Sequence, residues 1–443
     1  MEVVPRQRRF ILFMLLLFIL LNFQDKGILG LAAIPIMEEL KLTETQFGTI
    51  ASSFYLLFSV SAILVGFVAN RVGSKWLLAA LVLVWSFAQL PVLIPAVGFI
   101  GLIVTRVMLG AGEGPVVATA NNTAFTWYKP AERAFPSSML TIGGAIGVIV
   151  GAPIMQFVIA AWGWRAAFGV LGAVGLIWMA VWLWKGKDGP YSNAAVKEAA
   201  TAATAAGETP AAVDAPVPYR RLFAAPTMIA ALVGGFAYYW GLALALAWLA
   251  AFLEQEGGFS RTAIGFLVGL PSAIAIVVVL ALGVLTQRLV KRGTSRRLAY
   301  GLAGAGTLAA SGVALFLLTR TDSQFMLVIW MGVAWSASAA VLPMAAPALG
   351  DITPALQRGA ILGIWAGLIN VASVISPYVT GRLIDGAATP GAGYASAFDL
   401  AGGIQVVAAV IFVALLRVER DQARLRPGSI DPGPATPEVA GMR

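Results

Sequence analysis

The sequence contains no cysteine and no histidine. Without cysteine, disulfides and thiol chemistry are excluded. Without imidazole, the usual ligand of zinc and of many transition metals is missing, so we expect no metal site and no cofactor. The common pairs of nucleophile and base are also missing, so we expect no catalytic residues and no enzyme activity. A proton that moves through the interior of this protein must therefore be carried by a carboxylate.

Charged residues are scarce as well. They make up 12% of the 443 residues, whereas hydrophobic residues make up 59% and the mean hydropathy is +0.85. A soluble domain usually contains about 25% charged residues, so this chain has more apolar surface than a soluble core could hide. Apolar segments of about 20 residues recur, which is the length of a helix that crosses a bilayer. The sequence predicts an all-α polytopic membrane protein with spans near residues 10–36, 46–69, 75–96, 98–125, 135–161, 166–185, 226–253, 262–286, 297–319, 324–349, 359–384 and 396–416.

The net charge of +9 is explained by membrane topology and does not require a nucleic-acid partner. When both termini are placed in the cytoplasm, most of the 30 Lys and Arg residues fall on the cytoplasmic side of the predicted spans. This distribution is the one that the positive-inside rule describes. We therefore expect a multi-pass protein of the inner cell membrane, embedded in lipid, with both termini cytoplasmic.

Two halves of six spans each are separated by the longest polar break in the chain. The predicted divisions are an N-terminal bundle over residues 1–186, a cytoplasmic linker over 187–225, a C-terminal bundle over 226–417 and a flexible cytoplasmic tail over 418–443. The basic turn "GFVANRVGSK" after the second span is echoed by "GVLTQRLVKRGTSRR" after the eighth. Parallel repeats of this kind predict two similar bundles with a cavity between them near the membrane midplane. We expect the chain to act as a monomer.

Four ionisable residues lie deep in the predicted spans, namely Asp25, Lys26, Arg106 and Glu113. A charge at the centre of a membrane helix costs about 2.5–3.5 kcal/mol on insertion scales, so such residues usually have a function. Asp25 and Lys26 are adjacent and point in different directions on a helix, so each needs a partner elsewhere. Arg106 and Glu113 share one helix face, and the intervening "VMLGAGEGP" predicts a bend near Glu113. The four residues form either a substrate and proton site or a structural ion-pair network between the first and fourth spans.

The turn after the second span resembles a motif of the major facilitator superfamily. The motif "G-x-x-x-D-R-x-G-x-K" is matched by Gly66, Arg71, Gly73 and Lys75, with Asn70 in place of the acidic residue that forms a charge–dipole latch. The resemblance implies twelve transmembrane helices in two six-helix bundles and transport by alternating access. It also implies that Gly66, Asn70, Arg71 and Gly73, and Arg288 in the second copy of the turn, contribute to gating.

Two further segments resemble the anion:cation symporter branch of that superfamily. "NFQDKGILGLA" is similar to "N-Y-x-D-R-x-x-L", and "RVMLGAGEGP" is similar to "R-x-x-x-G-x-G-E-x-P". Members of the branch include permeases for galactonate, hexuronates, tartrate and phthalate. The resemblance implies that Lys26 and Arg106 attract the carboxylate of a substrate, while Asp25 and Glu113 take up and release protons. It predicts uptake of a small organic carboxylate by proton symport, with a proton-coupled antiporter or exporter, or an anion exchanger, as the alternative.

The second half has no charge at comparable depth, and its candidate substrate contacts are Tyr239, Asn370 and Ser373. Asn370 resembles a substrate-contacting Asn of the branch, seven residues before a proline. Aromatic residues such as Tyr239 also serve in packing and at membrane interfaces. Phe23 and Phe58 stand where members that carry sugar acids often have tyrosine. We therefore expect a monocarboxylate with few hydroxyl groups, either aromatic or short-chain.

Overall fold

The computed structural model describes residues 5–68, 72–129, 132–190, 216–354 and 357–426, and every regular element in these ranges is helical. Within these ranges, 11 helical segments are long and apolar enough to cross a membrane. A further helix, Glu44–Val68, has 25 residues, and at about 1.5 Å per residue it is also long enough to span a bilayer. Together these segments correspond to the twelve predicted spans, and the all-α polytopic fold is confirmed.

The described part of the first half contains eight α-helices and a short 3-10 helix, Leu90–Leu93. The bounds are α1 (Pro5–Leu31), α2 (Ala33–Leu40), α3 (Glu44–Val68), α4 (Ser74–Gln89), α5 (Phe99–Glu113), α6 (Val116–Phe125), α7 (Ala134–Trp162) and α8 (Trp164–Lys185) among the described residues. The fourth span is divided into α5 and α6 at Gly114 and Pro115, because proline has no N–H for the helical hydrogen bond. The interruption lies where the sequence predicts a bend, directly after Glu113.

The second half repeats this arrangement with more interruptions. Its described helices are α9 (Tyr219–Phe223), α10 (Pro226–Leu244), α11 (Ala250–Gln255), α12 (Arg261–Leu267), α13 (Leu270–Lys291), α14 (Arg296–Leu318), α15 (Gln324–Ser338), α16 (Val341–Ile352), α17 (Arg358–Ile369), α18 (Val371–Asp385), α19 (Pro390–Leu415) and α20 (Val418–Leu425). The tenth span is interrupted between α15 and α16, as the fourth is between α5 and α6. The seventh span contains a π-helical segment, Ala245–Leu249, and such segments often occur at functional sites.

The two halves meet closely at the end of the bundle that is remote from the chain termini. Asp385, the last residue of α18, accepts hydrogen bonds from the backbone N–H groups of Glu44 (3.1 Å) and Thr45 (2.8 Å) at the start of α3. Its carboxylate therefore complements the positive end of the α3 dipole. Gly48 and Gly381 allow this approach, because a Cβ at either position would meet the backbone of the opposing helix.

The last part of the predicted linker packs against the second half. The backbone N–H of Val217 donates to Oε1 of Gln357, and Nε2 of Gln357 donates to the carbonyl oxygen of Val217, both at 2.8 Å. These two hydrogen bonds hold the chain just before α9. Residues 191–215, the central part of the predicted linker, lie outside the described residues.

The structure differs from the sequence prediction at the start of the tail, where Val418–Leu425 forms helix α20 rather than a flexible segment. Oδ2 of Asp421 accepts a hydrogen bond from the backbone N–H of Thr227 at 2.8 Å. Oε1 of Glu419 accepts one from the backbone N–H of Arg296 at 2.5 Å. The two acidic side chains thus satisfy N–H groups at the starts of α10 and α14, which have no partner within their own helices. Tail residues 427–443 lie outside the described residues.

Candidate functional site

Asp25, Lys26, Arg106 and Glu113 come together inside the first half, and we call them the charged cluster. Asp25 and Lys26 lie on α1, and Arg106 and Glu113 lie on α5. The two carboxylates interact electrostatically with both cations. Asp25, Arg106 and Glu113 are each no more than 3% exposed, so none of these three side chains faces lipid. The helices that were predicted to carry the site therefore do place its four residues in one region.

The two cations of the cluster reach a cavity between the halves. Lys26 and Arg106 line this cavity together with Tyr55 of α3. The opposite wall is contributed by the second half and is apolar, comprising Ala243, Leu246, Ala247 and Pro377. A bound molecule would thus touch both halves, with its charged groups held by the first.

Lys26 is held by one hydrogen bond and two aromatic rings. Its Nζ donates to Oδ1 of Asn22 at 2.9 Å, one helical turn earlier on α1. The same nitrogen lies 4.6 Å from the ring centroid of Phe23 and 5.0 Å from that of Phe58. Cation–π attraction at these distances stabilises the ammonium group without neutralising its charge.

Arg106 is similarly short of anionic partners. Its Nη1 donates a long hydrogen bond to the backbone carbonyl of Asp25 at 3.4 Å, and its guanidinium carbon lies 4.8 Å from the ring centroid of Phe168. The buried Nη2 has no hydrogen-bond partner among the described residues. Because an unpaired buried donor is costly, this nitrogen is suited to binding an anion from outside the protein.

The two carboxylates do not line the cavity, and most of their oxygens lack hydrogen-bond partners among the described residues. None of the ion pairs within 4.0 Å in the described ranges involves the charged cluster. Glu113 lies next to Asn22, and Asp25 lies next to Gln89. Even so, both oxygens of Glu113 and Oδ1 of Asp25 accept no hydrogen bond from a described residue. The direct ion-pair network that was the structural alternative is therefore not formed among these residues.

The predicted contacts of the second half have different surroundings. Asn370 lies between α17 and α18, and its Nδ2 donates to the carbonyl of Ala366 at 2.9 Å, while its Oδ1 is buried without a described partner. Tyr239 lies next to Asn370 and within electrostatic range of Tyr55 in the first half. Ser373 is 1% exposed and donates to the carbonyl of Tyr239 at 3.4 Å, so its hydroxyl lies between α10 and α18.

Gly73, one of the predicted gating residues, precedes α4 and lies against an acidic side chain from the segment that follows α8. A Cβ on Gly73 would lie 2.6 Å from Oδ2 of Asp188. Oδ1 of Asp188 accepts a hydrogen bond from the backbone N–H of Lys75 at 3.0 Å. Glycine at this position therefore leaves room for a carboxylate that caps α4.

Of the other four predicted gating residues, two lie among the described residues. Gly66 lies in the last turn of α3, and Arg288 is exposed in the last turn of α13. Asn70 and Arg71 lie outside the described residues. The gating role of the basic turns thus stays a prediction.

Three site residues were not singled out by the sequence reasoning, namely Asn22, Tyr55 and Gln89. Asn22 precedes Lys26 by one helical turn, and this spacing alone places both on one face of α1. Gln89 is a single amide in an apolar span, which is itself a signal because a buried amide needs a partner. Tyr55 carries no such signal, since tyrosine is common in membrane helices at the interface.

Comparisons with known proteins agree with this architecture. Residues 15–316 match the Major Facilitator Superfamily. A hexuronate transporter of Bacillus subtilis is 26% identical over 414 residues, covering 90% of this chain and 92% of that protein. A probable sulfoacetate transporter of Cupriavidus necator is 32% identical over 391 residues, covering 86% of this chain and 88% of that protein.

A solved structure supports the fold independently. The crystal structure of a D-xylose–proton symporter superposes with a TM-score of 0.73 over 93% of this chain and 98% of that one, at 14% sequence identity. At this identity the similarity concerns the fold alone. The matched family, the related anion transporters and the shared fold lead to one conclusion: the chain belongs to the major facilitator superfamily and is a membrane transporter rather than an enzyme.

Proposed function

We propose that this transporter takes up a small organic anion by proton symport, acting as a monomer in the inner membrane with both termini in the cytoplasm. The observation that carries the proposal is the division of the charged cluster. Lys26 and Arg106 line the cavity between the halves, whereas Asp25 and Glu113 are buried and do not line it. Cations at the cavity would bind an anion, and the buried carboxylates would exchange protons.

Coupling follows from competition for the same two cations. In the absence of substrate, Asp25 and Glu113 share the positive field of Lys26 and Arg106. An anion that binds at the cavity partly neutralises the two cations. The cations then stabilise the ionised carboxylates less, so the buried carboxylates bind protons more readily. Reciprocally, protonated carboxylates leave the cations free for the anion. Binding of substrate and binding of protons therefore favour each other.

Alternating access fits the way the halves meet. The contact between α3 and α18 closes the end of the bundle remote from the chain termini. With the termini in the cytoplasm, as the distribution of Lys and Arg favours, this conformation is closed toward the outside. A change that separates α3 from α18 would then expose the cavity to the outside.

The relatives support the substrate class. One is a hexuronate transporter and the other a probable sulfoacetate transporter, and both compounds are small organic anions. We extend this class, and not either compound, to the present chain. The basic residues at the cavity are consistent with it, because a cation at low dielectric binds an anionic group strongly.

Transport by purified protein in proteoliposomes tests the proposal. Radiolabelled sulfoacetate and glucuronate are offered with and without an inward proton gradient. We expect at least one of them to accumulate above its external concentration only with the gradient, and to leak out after addition of a protonophore. Accumulation that is the same without the gradient would instead support an anion exchanger, and accumulation driven by an outward proton gradient would support an antiporter.

A further inference from the structure

We propose that the cavity selects a short organic dianion without hydroxyl groups, and that Tyr55 is a specificity-determining residue for it. The inference deepens the proposed function and rests on it, since it concerns the substrate of the same site. It starts from three features of the cavity: two cations without anionic partners, apolar walls, and one hydroxyl at an unexpected position.

The first feature is the pair of cations. Lys26 and Arg106 both line the cavity, and neither is within 4.0 Å of a carboxylate oxygen in the described ranges. Lys26 donates to one described acceptor, the amide oxygen of Asn22, which carries no formal charge. Once Asp25 and Glu113 are protonated, two positive charges remain at the cavity. A substrate with a single acidic group would leave one of them unpaired, whereas a dianion would satisfy both.

This point revises the expectation from sequence. From the sequence we expect a monocarboxylate with few hydroxyl groups, whose carboxylate is attracted by both Lys26 and Arg106. The structure places Lys26 on α1 and Arg106 on α5 at the same cavity surface. One acidic group for each cation is therefore the better match.

The second feature is the chemistry of the walls. Apart from Lys26, Tyr55 and Arg106, the cavity is lined by apolar residues, among them Leu29, Phe54 and Leu246. A substrate hydroxyl placed against such a wall loses its hydrogen bonds to water and gains none from the protein. The cost is about 1–3 kcal/mol for each unpaired group, or roughly a factor of 5–150 in affinity. Polyhydroxylated acids are therefore discriminated against.

The third feature is Tyr55. Its hydroxyl makes no hydrogen bond to another described residue, and it lies within electrostatic range of Arg106 and of Tyr239 in the second half. Phe58, three residues later on α3, has no hydroxyl. The phenolic hydroxyl of this helix is therefore at Tyr55, about 4.5 Å along the helix axis from Phe58. We assign Tyr55 as the donor to the acidic group that binds Arg106. Its position near Tyr239 also brings both halves to the same end of the substrate.

Binding of three acids with the same chain length tests the substrate class. Butyrate has one acidic group, succinate has two, and tartrate has two acidic groups and two hydroxyls. The melting temperature of the purified protein is measured with each acid at a pH where succinate is a dianion. We expect succinate to raise it most, because a ligand that binds only the folded state stabilises it. Equal stabilisation by butyrate would overturn the requirement for two charges, and equal stabilisation by tartrate would overturn the exclusion of hydroxyls.

Sulfoacetate, a dianion in which one methylene group separates a sulfonate from a carboxylate, serves as a second probe in the same assay. If neither succinate nor sulfoacetate stabilises the protein more than butyrate does, the proposal is wrong. Binding is measured without any proton gradient, so these results are separate from those that test symport. A protein that binds succinate but does not couple its uptake to protons would contradict the proposed function alone.

Substitution of Tyr55 tests its assignment. Tyr55→Phe removes only the hydroxyl, and we expect succinate to bind about tenfold more weakly, as for a lost hydrogen bond to a charged group. The melting temperature without ligand should be unchanged, which separates a loss of binding from a loss of folding. Tyr219→Phe is the matched control, because Tyr219 is 45% exposed at the start of α9. Unchanged succinate affinity in Tyr55→Phe would remove Tyr55 from the site.

Discussion

The two halves share one architecture but use their buried polar side chains differently. In the second half, several side chains donate to backbone carbonyls of α10 or its neighbours. These bonds are Trp365 to Ala231 (3.0 Å), Gln405 to Ala237 (3.1 Å), Ser376 to Trp240 (2.8 Å) and Trp335 to Gly241 (2.7 Å). In the first half, the charged cluster and the amide of Gln89 include buried atoms without such partners in the described ranges.

This difference distinguishes polar side chains that stabilise the fold from those that are available to bind a ligand or a proton. A buried polar group that is paired within the protein stabilises the fold, and its partner is fixed in place. A buried charge without a partner is costly, and it is retained where a ligand or a proton supplies the missing interaction. In the proposed function, the first half supplies the charged groups that bind substrate and protons, and the second half supplies an apolar wall of the cavity. In the second half, Oδ1 of Asn370, Nε1 of Trp240 and Oε1 of Gln405 are also buried without a described partner, and Asn370 lies next to Tyr239.

The largest effect is expected at Arg106. Arg106→Ala removes the guanidinium group that lines the cavity and leaves Glu113 and Asp25 with Lys26 alone. We expect substrate affinity to fall by about a hundredfold, in line with the loss of a buried charge partner. Stabilisation of the variant by the substrate, measured from the melting temperature, should be lost at concentrations that saturate the unmodified protein. Retained stabilisation would show that Arg106 does not bind the substrate.

For Trp335 we expect a smaller effect, on the stability of the protein rather than on substrate binding. Trp335→Phe removes the N–H group that donates to the carbonyl of Gly241 but keeps most of the ring volume. The loss of one buried hydrogen bond costs about 1 kcal/mol, so the melting temperature should fall by a few degrees. Uptake normalised to folded protein should change less than about twofold. If this variant lost substrate binding at an unchanged melting temperature, the contrast between the halves would not hold.

The smallest effect on stability is expected where the halves meet. Asp385→Asn removes the charge that caps α3, worth about 0.3–1 kcal/mol at a helix start. The closed end should then open more often. Because the chain has no cysteine, spin labels at Glu38→Cys and Ala388→Cys report the distance between the halves by electron spin resonance. We expect a longer distance to gain population in Asp385→Asn.

The matched control for this experiment is Asp399→Asn. Asp399 pairs with Arg320 at 2.6 Å, and both residues belong to the second half. Its neutralisation removes a surface charge without affecting a contact between the halves. The same distance distribution in Asp385→Asn and in Asp399→Asn would mean that Asp385 does not hold the halves together.

Most of the fold can be predicted from the sequence because length and hydropathy are local properties. A helix that crosses a bilayer needs about 20 apolar residues, and the spans meet this requirement one by one. The interruption after Glu113 is also local, since Gly114 and Pro115 adjoin it. The helix at Val418–Leu425 could not be predicted from local properties. Asp421 and Glu419 in this helix accept hydrogen bonds from the starts of helices that are distant in the sequence.

The candidate site shows the same limit. Charged residues within apolar spans can be recognised as functional candidates from the sequence, because inserting a charge into the membrane costs free energy whichever way the side chain points. The role of an uncharged residue depends instead on which face of its helix meets the cavity. Tyr55 and Ser373 are both polar residues in apolar spans, but Tyr55 lines the cavity and Ser373 donates to the carbonyl of Tyr239. Such a difference depends on the packing of helices that are distant in sequence.

The most direct test of the account is the separation of substrate binding from proton coupling at Glu113. In Glu113→Gln the side chain keeps its size but can no longer carry a proton, while Lys26 and Arg106 still line the cavity. Proteoliposomes that contain the variant should exchange labelled for unlabelled substrate, yet fail to accumulate it when an inward proton gradient is imposed. Accumulation at the level of the unmodified protein would contradict the assignment of Glu113 as a proton carrier, and loss of exchange by a folded variant would assign it a structural role instead.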